Sequence, residues 1–415
     1  MRKPTGTWIM AGLAVLFFIG LLWLPRQRAP RSRLVLQPPP GVAMLPPIRV
    51  AVIPETVTTV TVGVDGPFRV TPVGSQQLLF RQERAAKAAV FLSATGFRWA
   101  TRTIPVPRIE IIPDGEGAVW VGNHEYRGRV QLIRQPGGRM RVTNVVPLEE
   151  YIAGVVDSEM PREFGYEARK AQAVVARSYA LAQMQQSGRS SLFDLYATTR
   201  SQKYNGRRYE SNDGRLLAGD STESRQIAYE TAGMVCTYQG RLFCTYYSAV
   251  CGGDTSQGSD FFSDAAPPHR SVACTWCSES PRYRWQATLT NTELQSALQK
   301  YWSTEGVRFG SLKSVVVGAV PHPGGVSEVQ MSDGRQTLTL PATAFRRAVG
   351  TAELFSHHFQ ITRDGTSWIF NGAGHGHGVG LCQWGARGLA RSGKNYLQIL
   401  SHYYPGSKVV VLTEK

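Results

Sequence analysis

The sequence predicts an α+β protein: a membrane anchor, then a β-rich region, then a mixed α/β globular region. Three observations carry that expectation. Apolar residues alternate with period two at Ile48/Val50/Val52 and Val57/Val60/Val62, with turn residues at Asp65-Gly66, and the same style continues over 108–142. Helical period then takes over, at Leu148/Ile152/Val155 and again at Ala168/Ala171/Val175/Ala182, the two runs separated by Pro161 and Gly165. Residues 7–24 form an uncharged apolar run.

Taken in order, residues 1–6 are a short tail. Residues 7–24, TWIMAGLAVLFFIGLLWL, are long enough to span a bilayer at about 1.5 Å per residue. The run meets Trp23-Leu24-Pro25-Arg26 and no small-x-small site, which favours an anchor or an uncleaved signal over a cleaved one. Arg26, Arg28, Arg31 and Arg33 follow it and only Arg2 and Lys3 precede it, so the positive-inside rule alone places the following part in the cytoplasm; long domains translocate despite the rule. Residues 25–47, with prolines at 38–40 and 46–47, read as an extended linker. Then come the β-rich part at 48–142 and the mixed region at 143–412, with no composition break between Val142 and Pro147.

The chain has 415 residues, 42% hydrophobic and 18% charged, which excludes disorder and a polytopic membrane protein and calls for more than one core. A net charge of +16 invites a polyanion, yet no nucleic-acid motif accompanies it.

Glu159 closes the first helical run, just ahead of Met160-Pro161. An acid at such a helix-to-loop junction is partly desolvated, and its pKa rises toward general-acid range; the competing reading is a solvated helix-end Glu. In 196–206, YATTRSQKYNG, Gln202 and Tyr204 share one face of an extended segment, either lining a groove or bonding within a loop. Six cysteines follow: Cys236, Cys244, Cys251, Cys274, Cys277 and Cys382. Cys236 and Cys244 flank a Gln239-Gly240 turn; a two-residue loop puts their sulfurs on opposite faces and a three-residue loop on the same face. Cys274-Thr275-Trp276-Cys277 with Cys251 makes three ligands of a structural zinc site, the fourth being His269 or Cys244; a disulfide is the alternative.

Residues 289–300 read as a helix capped by Asn291, and 309–340 as two or three strands with a turn at Ser332-Asp333-Gly334. The loop from Gly374 to Gly380 holds His375 and His377 among four glycines. An H-x-H triplet also suits a zinc peptidase, but no other histidine here has an Asp four residues on, so that class lacks its ligands. The plain reading of the loop is a tight turn in which the backbone satisfies one histidine, His375.

Three blocks, PLEEYIAGVVDSEMP, KAQAVVARSYAL and GHGVGLCQWGARGLARSGKNYLQILSHYYPG, resemble the SpoIID/LytB family, exported proteins of bacterial cell-wall remodelling that include lytic transglycosylases and amidase enhancers. The resemblance runs from about Ile48 onward. It implies an envelope location, membrane-anchored with the globular part outside the cytoplasm, and peptidoglycan glycan strands as partner. It implies cleavage between N-acetylmuramic acid and N-acetylglucosamine by one catalytic residue, Glu159, with a 1,6-anhydro product and no cofactor required. Gln172, Arg177, Tyr179, Gln202, Tyr204, His377, Gln383 and Trp384 are then the expected sugar-binding residues, Gln172 and Tyr179 lying on one helical stripe. In this setting Arg346-Arg347 is a candidate for the lactyl carboxylates. The alternative the family offers is a non-catalytic wall-binding protein that stimulates an amidase. The chain departs from the pattern at Tyr196, Arg200 and Ser201, where many members carry a zinc-type Cys/His cluster, and at Cys382, where Ser is usual.

Overall fold

The alternating residues of the first region fold into two sheets around one core. The structure, a computed structural model, describes residues 40–413 except 44, 189, 305 and 319–325. The expected anchor at 7–24 and most of the linker lie outside the described residues; among those described, no helix is long and apolar enough to cross a membrane. One sheet has seven strands, with Arg139–Val146 between Ile48–Ala51 and Arg129–Gln135, and Arg108–Pro113 and Phe68–Pro72 beyond, each of these pairs antiparallel. The other has eight, with Thr59–Val64 between Ala118–Val121 and Ala85–Leu92. Period two decides which residues face in: Val60 and Val62 are buried while Thr59 and Thr61 are exposed. Val50, Val62, Phe68, Ile109, Ile111, Leu132 and Val142 fill the shared core.

The strand Arg139–Val146 runs straight into Pro147 and then α1 (Leu148–Glu159). After a 3-10 turn, α2 (Tyr166–Ser187) follows. This helix is buried on two sides, which explains its run of small residues. Ala173, Ala176 and Ala180 pack into the double-sheet core, whereas Ala168, Ala171, Val174 and Val175 pack into a second core with Val250, Leu381, Leu389, Ile399 and Tyr403. Helix α3 (Thr222–Glu230) crosses α1 and α2, opening with a Ser221 capping box.

Within 143–412 a third core belongs to an inserted lobe. Its first strand, Arg284–Thr290, pairs along its length with its last, Ser367–Ala373, so that Arg284 faces Ala373 where the lobe begins and ends. Between them lie α4 (Asn291–Thr304), a three-stranded sheet of Ser314–Val317, Glu328–Ser332 and Thr337–Pro341, α5 (Ala342–Val349), and Phe359–Asp364. Trp285, Leu298, Met331, Phe345 and Phe370 make its core. Helix α4 is capped by Thr290, not by Asn291: Thr290 Oγ1 accepts the Glu293 N–H and Glu293 Oε2 accepts the Thr290 N–H. Asn291 instead accepts the Trp368 indole N–H at 2.9 Å. The chain ends with α6 (Gln383–Arg391), α7 (Tyr396–Tyr403) and the strand Lys408–Val411.

Candidate functional site

Helix α1 ends where Pro161 ends it. Met160 is already extended, at φ −135° and ψ 109°, and its N–H closes on Val156 O. Glu159 is therefore the last helical residue, at the negative end of the helix dipole, where the protonated acid is favoured. Its side chain is half-buried. Oε1 accepts the Lys203 backbone N–H at 2.6 Å and the Tyr247 hydroxyl at 3.3 Å. Burial raises its pKa above the ordinary carboxyl range, although these two bonds and the Lys203 charge pull against it. Among the described residues no hydrogen bond reaches Oε2, which leaves that oxygen without a protein partner.

Amides surround the base of this carboxyl. Gln383, the first residue of α6, donates Nε2–H to the Glu159 carbonyl at 3.2 Å and to Gln172 Oε1 at 3.3 Å. Gln202 Oε1 accepts the Tyr151 hydroxyl at 3.0 Å. Gln172 and Gln202 are fully buried, and the Nε2 of each lacks a protein acceptor. Orphaned buried donors are uncommon and point to a bound ligand or water. Trp384 presents a half-buried ring edge-on to Phe164 at 5.2 Å, with the Arg387 guanidinium 4.8 Å from its centroid.

Asp157 supplies no second acid. It is bound to Arg169, to the Ser221 N–H and to the Ser224 hydroxyl.

Three of the expected sugar ligands are engaged in packing and internal bonds. Arg177 is fully buried, paired with Glu149 at 2.9 Å, and donates to the Met234 and Ala228 carbonyls, so it joins α1, α2 and α3 and cannot reach a sugar. Tyr204 is 3% exposed; its ring fills the space over Gly154, where a Cβ would meet it at 2.6 Å, and its hydroxyl donates to Asn144. Tyr179 packs edge-on to Tyr246 at 6.0 Å in the first core. His377, not His375, is the histidine held by backbone: its Nδ1 accepts the Val379 N–H at 3.0 Å, and its other nitrogen serves the Tyr247 backbone. Burial lowers its pKa to about 4, so it acts as a neutral support for the strand that carries Tyr247. Arg346 donates to the Leu354 and Phe355 carbonyls within the lobe.

A family model described as stage II sporulation protein matches residues 136–238, which include α1, α2 and Gln202. A second, a domain of unknown function, matches residues 275–380. An uncharacterised protein of Brachyspira hyodysenteriae is 33% identical over 286 residues, 69% of this chain and 72% of that protein. Stage II sporulation protein D of Bacillus amyloliquefaciens is 30% identical over 267 residues, 63% of this chain and 73% of its own. The chain belongs to the SpoIID/LytB family. An amidase enhancer of Bacillus subtilis is 25% identical over 300 residues, 62% of this chain and 40% of that protein. Membership places the chain among cell-wall-related proteins.

Two features of this site escaped the sequence. Tyr247 reaches Glu159 because Tyr247–Ser248 pairs in parallel with Leu381–Cys382, a contact across more than a hundred residues that no local pattern signals. The second is Cys382. The expected cluster of Cys251, Cys274 and Cys277 forms, and its fourth member is Cys382, all sulfurs lying within 4.8 Å of one another. His269 is not the fourth, since its Nδ1 accepts the Ala266 N–H and its ring packs on Phe243. Nor is Cys244, which packs in the first core beside Gln183. The signal was present in the sequence as a cysteine standing where the family usually has Ser. Cys236 and Cys244 fall on opposite faces of a two-residue turn, Gln239-Gly240, in different cores.

Proposed function

We propose that the chain is a lytic transglycosylase that cleaves peptidoglycan glycan strands between N-acetylmuramic acid and N-acetylglucosamine, with Glu159 as its single acid and base. What carries this reading is one desolvated carboxyl, its pKa raised, whose partners are a backbone N–H and a phenol, while the Gln383 amide holds the Glu159 main-chain carbonyl. Glycosidases that hydrolyse use two carboxylates roughly 5 to 9.5 Å apart. A lone carboxyl suffices when the sugar attacks itself. Protonated Glu159 gives its proton to the glycosidic oxygen as the bond to muramic C1 breaks; the resulting carboxylate then takes the proton of the C6 hydroxyl, whose oxygen closes on C1 to give the 1,6-anhydro sugar. Glu159 ends the cycle protonated and no water is consumed.

Trp384 with Phe164 offers a stacking ledge, and the fully buried Gln172 and Gln202 support the carboxyl from behind. The +16 charge suits anionic wall polymers and headgroups, and the uncharged run at 7–24 supports a membrane-tethered place in the envelope. Glycan already freed of its peptides is the substrate the reading favours. A second reading, wall binding that stimulates an amidase, rests on the likeness to the amidase enhancer.

Digesting peptide-free glycan with wild type and Glu159→Gln, then weighing the products, tests both. Anhydro-muramyl ends should appear with wild type and fall by about 10²-fold or more in the variant. Hydrolysed reducing ends would demand a second carboxylate, and no cleavage alongside faster amidase turnover would replace the proposal with the second reading.

A further inference from the structure

The four clustered cysteines come from three separate segments that meet at the base of the inserted lobe. Cys251 follows the strand bearing Tyr247. Cys274 precedes the 3-10 turn Thr275–Cys277 as its N-cap residue and Cys277 ends it, and Cys382 is the N-cap residue of α6. All four are at most 1% exposed. Buried cysteines often act as small apolar residues, but here the sulfurs converge and polar hydrogens are aimed at them. Cys382 Sγ accepts the N–H of Cys251 and that of Gly385, each at 3.3 Å, and the Tyr403 hydroxyl lies 3.1 Å from Cys274 Sγ. N–H donors at a helix N-terminus stabilise a thiolate over a thiol.

Cys251 Sγ and Cys277 Sγ are 3.6 Å apart. Four sulfurs about 2.3 Å from one ion, at the corners of a tetrahedron, stand about 3.8 Å from each other. Helix α6 reaches the cluster only because glycines face it: a Cβ on Gly385 would lie 2.5 Å from Cys274 Sγ, and one on Gly388 would lie 2.4 Å from the Trp276 carbonyl.

We propose that Cys251, Cys274, Cys277 and Cys382 hold one structural zinc ion as four thiolates, each thiol releasing its proton to solvent on binding. The donor set is closed, all-sulfur and without a free position, as structural zinc requires. The ion clamps the neck of the lobe, because three ligands precede Arg284–Ala373 in the chain and the fourth follows it. It also fixes the wall behind Glu159, since Cys382 adjoins Gln383 and its strand pairs with that of Tyr247. The assignment does not depend on the lytic reading, and Glu159→Gln should leave the metal in place.

The test is elemental analysis of the full chain purified without chelator, together with its intact mass under denaturing, non-reducing conditions. About one zinc per chain is expected, with all six cysteines unoxidised once the ion is removed. Cys382→Ser should retain under a tenth of that zinc, whereas Cys244→Ser, outside the cluster, should retain it all. If Cys382→Ser fails to fold, cobalt(II) exchanged into the wild type decides, by the intense sulfur-to-cobalt charge-transfer and tetrahedral ligand-field bands of an all-thiolate site. A metal-free chain lighter by four hydrogens, from two disulfides, would overturn the proposal, and so would iron in place of zinc.

Discussion

Glu159 and Arg177 show how far residue type alone can be trusted. Both are charged residues facing inward, yet only Glu159 is left without an ionic partner. Its folded pKa lies above the unfolded one, so the native state is favoured while the proton is bound, and stability is lost as pH rises through the folded value. Glu159→Gln should therefore unfold at higher denaturant than wild type at neutral pH and above, with the gain disappearing below about pH 4. Urea titrations at both pH values check this; an equal gain at each would contradict it. Cleavage by wild type should fall over the same upper range, as the acid loses its proton. Arg177→Ala leaves the half-buried Glu149 without its cation and empties a fully buried site, and should cost about 2–4 kcal/mol of stability. A change in glycan affinity without that loss of stability would return Arg177 to the site.

At the scale of elements, the helices and strands were largely legible and their neighbours were not. Period two over 48–142 and the apolar spacing of 146–181 announced sheets and two helices, because each pattern is local. The stripe that placed Gln172 and Tyr179 on one binding face meets no solvent, because cores lie on both sides of α2; Gln172 still joins Gln383 beside Glu159, while Tyr179 packs on Tyr246. Tyr204 failed for a related reason. Residues 203–205 zip onto the end of α1, with Lys203 N–H on Glu159 and Asn205 N–H on Ser158, which turns Tyr204 inward over Gly154. Gly154→Ala would push a methyl into that ring and should cost about 1–3 kcal/mol, measured as a lower denaturation midpoint with an unchanged m-value. A neutral effect would mean that the α1–Tyr204 contact is loose.

For the whole molecule, the organising fact is three cores strung on one chain, two of them sharing α2 and the third held by its neck. A lobe with its own core should melt as a unit, so calorimetry of the metal-bound chain should give two transitions, and a single one with equal van't Hoff and calorimetric enthalpies would contradict this. The neck itself is narrow. Arg284 and Ala373 are partners in one ladder, and the Gly374 N–H bonds back to the Arg282 carbonyl at 3.0 Å, so the chain departs and returns within the width of a strand pair. Such an excursion is a cassette entered and left at one place, with Glu159, Tyr247 and Gln383 all encoded outside it.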